Sequence, residues 1–579
     1  MTTVAELFLS RRDDDHPGLR FEDESWSWRQ IVAASTARAH MLSALRRPGP
    51  FHIGVLLENV PEYLFLLGGA ALAGAAVVGI NPTRRGEELA RDVRHTDCQL
   101  VVTDSAQLSL LDGLDIGVAP GRVLVADDRA YADGLPPGVP GVPAVPGAAP
   151  AVPAVPAVPG AAPAVPGAPG ALPGADALYL LLFTSGSTGA PKAVRVSQGR
   201  MAAQASVMAA GSGFGPDDVM YCAMPMFHGN ALNTCVVPAV AAGATLVLRR
   251  RFSASGFLPD VRRYGVTYFN YVGRALAYVL ATAPADDDAD NTLRFGFGTD
   301  ASPRDISTFK RRFRCPVVEG YGSSEGAISM SRVPGTPRQA MGKPPPGTDV
   351  VIVDDAGRVC PPADIDAEGR LHNAAAAIGE IVGRDGAARF EGYYANDEAD
   401  AERTRDGWFW SGDLGYRDAE GFFYFAGRKA DWLRVDGENF AAAPVERILA
   451  GFPGVVTAVV FPVPDPRTGD QVMAVLELAD PGGFDPDAFD SFLAAQPDLG
   501  TKWAPRFVRV TAGVPLTGTG KVDKRPLRRE SWKTADPVWW RPIEERRGSS
   551  TAYRRLTAGD VAELDDRFDA HGRRALLDV

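Results

Sequence analysis

Lysine is nearly missing from this chain. Eight of its 60 basic residues are lysine and the rest are arginine. Where arginine is the default cation, a lysine inside a polar motif marks a place that wants a compact point charge. Cysteine is scarce as well. The five present, Cys98, Cys222, Cys235, Cys315 and Cys360, form no CxxC pair and no metal-ligand spacing. That excludes a disulfide framework and a thiolate zinc site, and it reads as free thiols in a reducing compartment, the cytoplasm. Positive charge is not in excess: the formal net charge is −11. A general nucleic-acid binder is therefore not expected. The opening MTTVAELFLSRRDDDH has no basic region followed by an apolar core, so no signal peptide is expected. One apolar run, Tyr63 to Ile80 (YLFLLGGAALAGAAVVGI), has marginal length for a membrane span. Its Gly and Ala content, with β-branched residues only at the end, reads instead as a buried helix running into a buried strand.

What is there is a large chain of globular composition. Its 579 residues are 45% hydrophobic and 23% charged, enough for about three or four compact lobes. Residues 52–58 (HIGVLLE) and 99–103 (QLVVT) read as buried parallel strands. PEYLFLLGGAALAG and RRGEELARDVRH between them read as helices. Such alternation predicts an α/β fold, with mostly parallel sheets covered by helices on both faces. A run of Pro, Ala, Val and Gly near 136–174 carries no charge and forbids helix and ladder pairing, so it reads as an extended surface insert. Strand–helix alternation is expected to resume after it and continue to about residue 425. From about residue 431 onward the chain suits a small α+β lobe, with VVTAVVFPVPDP, QVMAVLEL and FVRVTAG as strands.

One stretch demands a chemical explanation. LLLFTSGSTGAPKAVRV is an apolar run that ends in small, hydroxylated and glycine residues and then in Pro191-Lys192. A glycine-rich turn exposes backbone N–H groups, and the hydroxyls of Thr184, Ser185, Ser187 and Thr188 add donors. Together they make an anion-binding nest. Lys192 adds a mobile positive charge. The spacing is not that of a Walker loop, since Ala190-Pro191 separates Gly189 from Lys192. Further along come EGYGSSEG (319–326), WFWSGD (408–413), GRKAD (427–431) and PLTGTGKVDK (515–524). Tyr321 offers a flat face for a base. Ser324 and Glu325 offer oxygens, and a carboxylate among phosphates suits Mg²⁺. Asp413 suits ribose hydroxyls, Arg428 follows, and Lys521 rides on a glycine-rich loop. Each motif alone is equally a turn, a solvated charge or a surface loop. Five in this order are not.

The set resembles the adenylate-forming superfamily, which includes acyl-CoA synthetases, carrier-protein adenylation domains and luciferase. The motifs TSGSTGxPK, YGxxE, SGD, GRxxD, GEN and GTGK stand in that superfamily's order over nearly the whole chain outside the Pro-rich insert. NYVGRALAYVL and LTGTGKVDKRPLRRESW look most like fatty-acid-transport-type and bacterial long-chain or steroid-acid CoA ligases. The resemblance implies a large AMP-binding body at 1–429 and a small mobile C-terminal domain at 430–579. It implies an acid–thiol ligase that uses ATP and Mg²⁺ to form an acyl-AMP from a fatty or other bulky acid, with release of pyrophosphate, and then passes the acyl group to CoA.

By the same resemblance, Thr184, Ser185, Gly186, Ser187, Thr188, Gly189 and Lys192 hold the β- and γ-phosphates. Glu325, with Thr184, holds the metal. Tyr321, Gly322, Ser323 and Ser324 face the nucleotide, with Tyr321 stacked on adenine. Asp413 and Arg428 hold the ribose. Lys521 reaches the carboxylate and the α-phosphate during adenylation, and Gly437 with Glu438 and Asn439 replaces it for the thiol step. His228 lines and gates the acyl pocket, which Tyr271, Val272 and Gly273 extend. Two positions depart from the pattern. Ser324 stands where Thr is commoner, and Ala430 stands where a hinge Asp or Lys is usual. Two alternatives stay open. One is adenylation for another acceptor, a carrier protein or an amine; the other is a non-catalytic nucleotide-binding scaffold.

Overall fold

A computed structural model describes residues 2–135, 171–184 and 192–577, apart from short stretches at 274, 300, 302, 367–370, 429–431, 436–437, 467–468, 497–498, 500–501, 518–519 and 543–551. The Pro-rich insert lies outside the described residues between 136 and 170. The chain divides into two compact units. The first comprises Met1–Glu319, Ser323–Gly326 and Phe390–Glu402; the second comprises Gly320–Gly322, Ala327–Arg389 and Arg403–Val579.

The first unit holds two sheets. A six-stranded sheet runs Val123–Val125, Cys98–Thr103, His52–Leu56, Ala76–Gly79, Leu178–Thr184, Lys192–Ser197. All its pairings are parallel except the last. A seven-stranded sheet runs Val317–Glu319, Phe295–Thr299, Tyr268–Val272, Val219–Cys222, Thr245–Leu248, Pro17–Phe21, Glu24–Ser27. It too is parallel until its last, hairpin pair. The expected parallel α/β body is therefore present, with strands at His52–Leu56 and Cys98–Thr103 in direct parallel register.

The apolar run at 63–80 is a buried helix, Pro61–Ala73, followed by the strand Ala76–Gly79. Its glycines have a packing reason. A Cβ at Gly68 would lie 2.3 Å from Ser35 Oγ, and one at Gly69 would lie 2.7 Å from Arg38 Cβ. The helix Trp28–Leu45 thus approaches the backbone too closely for any side chain. Arg38 and Glu62, both fully buried, pair there at 2.6 Å, and the Tyr131 hydroxyl also donates to Glu62. Among the described residues no helix is long and apolar enough to cross a membrane. All five cysteines are free and buried.

The second unit departs from expectation in its first half. Strand–helix alternation ends near residue 319, not 425. Residues 350–428 instead form an antiparallel sheet of Val350–Val353, Gly379–Gly383, Trp408–Arg417 and Thr404–Arg405, with Phe423–Arg428 paired on Trp408–Arg417. The connection from Arg417 to Phe423 is a tight turn in which the Gly421 N–H donates to the Asp418 carbonyl at 3.1 Å. A turn this short joins only antiparallel neighbours. A two-stranded ribbon follows, Trp432–Val435 on Glu438–Ala441.

The C-terminal sheet then runs Val455–Pro464, Asp470–Leu478, Phe507–Thr511, Val538–Trp540, Arg554–Arg555. Its first three strands are those read from the sequence. Alternate residues serve alternate faces. Val460, Val472, Ala474, Leu476, Val508 and Val510 pack with Val445, Leu449 and Phe489 of two helices. Val459, Phe461, Met473, Val475 and Phe507 pack on the other side with Leu527, Trp532 and Phe568. The fold class, a parallel α/β body plus a C-terminal α+β region, is as expected.

Candidate active site

In the first unit the strand Leu178–Thr184 ends with Thr184 directly opposite Lys192, the first residue of the returning antiparallel strand Lys192–Ser197. The Thr184 hydroxyl donates to the Lys192 carbonyl at 3.4 Å. Ser185, Gly186, Ser187, Thr188 and Gly189 lie outside the described residues. Lys192 is nearly buried and points its ammonium at Glu402 Oε2, 2.8 Å away. The same ammonium stands 5.9 Å from the centre of the Tyr393 ring.

Tyr393 was not singled out from the sequence, yet it organises this half of the site. The segment around it pairs with the Lys192–Ser197 strand. Val194 and Tyr393 form an antiparallel bridge, Arg195 N–H donates to Gly392 O at 3.0 Å, and Tyr394 N–H donates to Ala193 O at 2.8 Å. Consecutive side chains on an extended segment point to opposite faces. Tyr394 therefore turns away, donating to Asp97 Oδ2 at 2.8 Å with its ring edge-on to His52. Tyr393 turns inward, is 3% exposed, and donates its hydroxyl to Glu325 Oε1 at 2.7 Å. One ring thus carries the Glu325 carboxylate on its hydroxyl and has the Lys192 ammonium over its face. The signal available in advance was the doubled tyrosine in EGYYAND.

The loop bearing Glu325 is held from behind by Arg200, also unforeseen. Arg200 Nη2 donates to the Ser324 carbonyl, and its Nη1 lies 3.7 Å from Glu391. Glu391 in turn accepts from the Ser197 N–H at 2.7 Å and the Ser197 hydroxyl at 2.6 Å. Burial pulls the Arg200 guanidinium below its ordinary pKa, against the pull of Glu391 and Glu325. Gly326, at φ +68°, passes so close that a Cβ would sit 2.3 Å from Arg200 Nη2. Glu325 is 7% exposed. Among the described residues no group of three or more His, Cys, Asp and Glu could hold a metal by itself. A single fixed carboxylate fits Mg²⁺, which binds through one or two carboxylates and completes its shell with substrate phosphates and water.

His228 is half-buried at the start of the helix Gly229–Ala231. Its N–H donates to Pro225 O at 3.1 Å, and its ring stands 4.4 Å from that of Phe227. Tyr271 and Val272 are buried on the strand Tyr268–Val272. Gly273 follows at φ +58°, its N–H on the Thr299 carbonyl at 2.9 Å.

The second unit carries the remaining motifs. Tyr321 donates its hydroxyl to Asp413 Oδ2 at 2.7 Å. Asp413 is fixed in a β-bulge. Its N–H meets Ser411 Oγ at 3.0 Å, and Gly412 N–H meets Glu380 Oε1 at 2.9 Å. Asp413 is the register partner of Arg428 on the neighbouring strand, so those two positions are adjacent as expected. Gly322 is exposed beside Tyr321, as is Ser323 in the first unit. Lys521 is exposed near a hairpin closed by the Leu516–Val522 bridge. Thr517 N–H donates to Lys521 O at 2.7 Å, and Lys521 N–H donates to Thr517 Oγ1 at 3.2 Å. Gly437 and Ala430 lie outside the described residues.

Residues 9–394 match the AMP-binding enzyme family, and residues 444–521 match the AMP-binding enzyme C-terminal domain. The chain belongs to the AMP-binding enzyme family. It is 52% identical to the steroid-22-oyl-CoA synthetase of Rhodococcus jostii over 100% of this chain and 99% of that protein. It is 42% identical to the medium/long-chain-fatty-acid–CoA ligase FadD17 of Mycobacterium tuberculosis over 93% of this chain and 98% of that one. The ATP-bound structure of MatB from Rhodopseudomonas palustris superposes with a TM-score of 0.75 at 23% identity, covering 92% of this chain and 99% of that one. At that identity it shows the fold alone. The expected AMP-binding, AMP-forming acid–CoA ligase of the adenylate-forming superfamily is borne out.

Proposed function

We propose that this AMP-binding enzyme joins a bulky apolar carboxylic acid to CoA by way of an acyl-AMP, with both half-reactions served by the residues described above. The observation that carries the reading is Tyr393, whose hydroxyl fixes Glu325 at 2.7 Å while Lys192 stands over its ring. That arrangement readies a metal carboxylate and a phosphate cation on one tyrosine. The identity shared with a steroid-acyl and a fatty-acyl ligase over nearly the full chain supports an acid of that size.

In the first half-reaction the acid's carboxylate oxygen attacks the α-phosphorus and pyrophosphate leaves. The hydroxyl-rich segment 184–189 and Lys192 hold the departing phosphates. Mg²⁺ at Glu325 would neutralise phosphate charge. Tyr321 lies against adenine while Asp413, with Arg428 beside it, accepts from ribose hydroxyls through its carboxylate. Lys521, on its exposed hairpin, supplies positive charge where the α-phosphorus becomes five-coordinate. Donors placed in advance where charge develops are the main catalytic resource here. In the second half-reaction the small C-terminal domain, about 430–579, rotates. Lys521 withdraws, the Gly437 segment enters, and the CoA thiolate displaces AMP. Both co-substrates are cytoplasmic metabolites, and we place the enzyme there.

The test is direct. Pyrophosphate release and loss of CoA thiol are followed with a panel of fatty, aromatic and steroid acids. Acid-dependent release followed by one equivalent of thiol consumed is the expected result. Release without thiol loss would move the acceptor to a carrier protein or an amine, and no release with any acid would leave only a nucleotide-binding scaffold.

A further inference from the structure

The segment Gly229–Val236 carries none of the nucleotide motifs named above, yet it is built unusually. A short helix, Gly229–Ala231, widens into a π-helix over Leu232–Val236. Such bulges spoil backbone hydrogen-bond geometry and gather at functional sites. Asn230 and Asn233 stand on this segment. Asn270, 2% exposed on the strand Tyr268–Val272, donates through Nδ2 to Asn230 Oδ1 at 2.8 Å. Two amide oxygens are then left over. Asn270 Oδ1 and Asn233 Oδ1 are sealed from solvent, and neither has a hydrogen-bond partner. Buried polar atoms are almost always paired, so each of these orphans calls for an explanation, and the position of Asn233 offers a ligand.

The position says which ligand. Asn233 Nδ2 lies 3.3 Å from the point a Cβ would take at Gly229, and Ser324 Oγ lies 3.5 Å from the same point. Ser324 immediately precedes Glu325. The unpaired Asn233 amide therefore stands beside the motif assigned to the nucleotide, towards which the acid must bring its carboxyl.

Resting on the ligase reading, we infer that the preferred acid carries a hydroxyl within a few bonds of its carboxyl, donated to the side-chain amide oxygen of Asn233. A hydroxyl both donates and accepts, so it satisfies an amide presented by either its oxygen or its nitrogen. A keto group only accepts, and a methylene does neither. A site built to bond a hydroxyl rejects the analogue that lacks it, because its own polar atoms are then stranded.

The experiment uses the full-length enzyme and three acids: dodecanoate, 2-hydroxydodecanoate and 3-hydroxydodecanoate. The readout is kcat/KM for acid-dependent pyrophosphate release. One hydroxy acid should exceed dodecanoate by about 10-fold or more. In Asn233→Leu that preference should vanish, the hydroxy acid and dodecanoate giving kcat/KM values within about twofold of one another. Equal or better use of dodecanoate by the unaltered enzyme overturns the inference, whatever becomes of the variant, and shows the amides to be serving a resident water. A preference that survives Asn233→Leu overturns it too. Failure of the ligase reading looks different: no acid of the broader panel would release pyrophosphate.

Discussion

Replacing Tyr393 with Phe isolates the hydroxyl that holds Glu325. The ring remains, so the contact of Lys192 with its face, at 5.9 Å, is kept. The bond lost is buried, 2.7 Å long, and accepted by a carboxylate. Hydrogen bonds to charged groups contribute about 1.5–3 kcal/mol. If that energy serves to aim the Glu325 carboxylate, adenylation falls about 10- to 100-fold at 1.36 kcal/mol per decade. The assay is ATP–pyrophosphate exchange over a range of Mg²⁺ concentrations. We expect a lower maximal rate and a right-shifted Mg²⁺ dependence. Thioester formation from chemically supplied acyl-AMP should stay within about twofold, because it needs no pyrophosphate-bound metal. An exchange rate and Mg²⁺ dependence equal to those of the unaltered enzyme would refute the role given to Tyr393. So would equal loss of both half-reactions.

Lys521→Ala should lower adenylation by about 10²–10³-fold, typical for removal of a transition-state charge, while thioester formation from acyl-AMP continues; equal loss of both steps would remove the division of labour. Glu402 holds the Lys192 ammonium at 2.8 Å on a half-exposed side chain. Glu402→Gln releases a competitor of the phosphates, and KM for ATP should fall by up to about fivefold, the scale of an exposed ion pair; an unchanged KM would mean the pair is incidental. Burial pushes the Asp92 carboxyl up from 3.8 to about 6, opposed by Arg84 and Arg91. A raised carboxyl favours folding below its unfolded pKa and loses that contribution as pH climbs through the folded one. Asp92→Asn should therefore melt higher than the unaltered protein at pH 8, by about 3 kcal/mol at most, with the gap closing towards pH 4. A pH-independent difference in thermal melts would contradict the assignment.

The parallel body was legible because its signal is local. A strand buried on both faces is a continuous apolar run, and HIGVL and QLVVT read as such in isolation. The C-terminal sheet was legible for the same reason in a different period, odd residues to one core and even residues to the other. Residues 350–428 were misread because Val350–Val353, Gly379–Gly383 and Thr404–Arg405 are short strands, and the chain between them offers helix-like fragments such as Asp397–Arg403. The turn at Asp418–Gly421 was the available clue. Within the site, motifs gave Lys192, Glu325, Tyr321 and Asp413. They could not give Tyr393 or Arg200. Tyr393 gains its place from strand pairing with residues some two hundred positions earlier. Arg200 looks like an ordinary helix residue three places after the Ser197 cap, and only the fold turns it onto Ser324.

Both units solve the same physical problem with the same pair of groups. In the first, Tyr393 donates to Glu325; in the second, Tyr321 donates to Asp413, each at 2.7 Å. A carboxylate left to itself near polyphosphate is a liability, since it repels the substrate it is meant to hold. Tied by a hydroxyl, it keeps one fixed direction of approach, which under the proposed function would serve a metal ion in one case and sugar hydroxyls in the other. The two pairs differ in what surrounds them, and that difference is testable. Glu325 has Arg200 close by within its unit, and the tyrosine that holds it has Lys192 over its ring. Asp413 takes backbone support from the Ser411 hydroxyl and sits in register with Arg428. Loss of the Tyr321 hydroxyl in Tyr321→Phe should therefore raise KM for ATP and leave the Mg²⁺ dependence alone, the reverse of the pattern expected for Tyr393→Phe. Exchange rates measured over crossed ATP and Mg²⁺ concentrations read both at once. Identical responses from the two variants would mean that the hydroxyls only stiffen the fold.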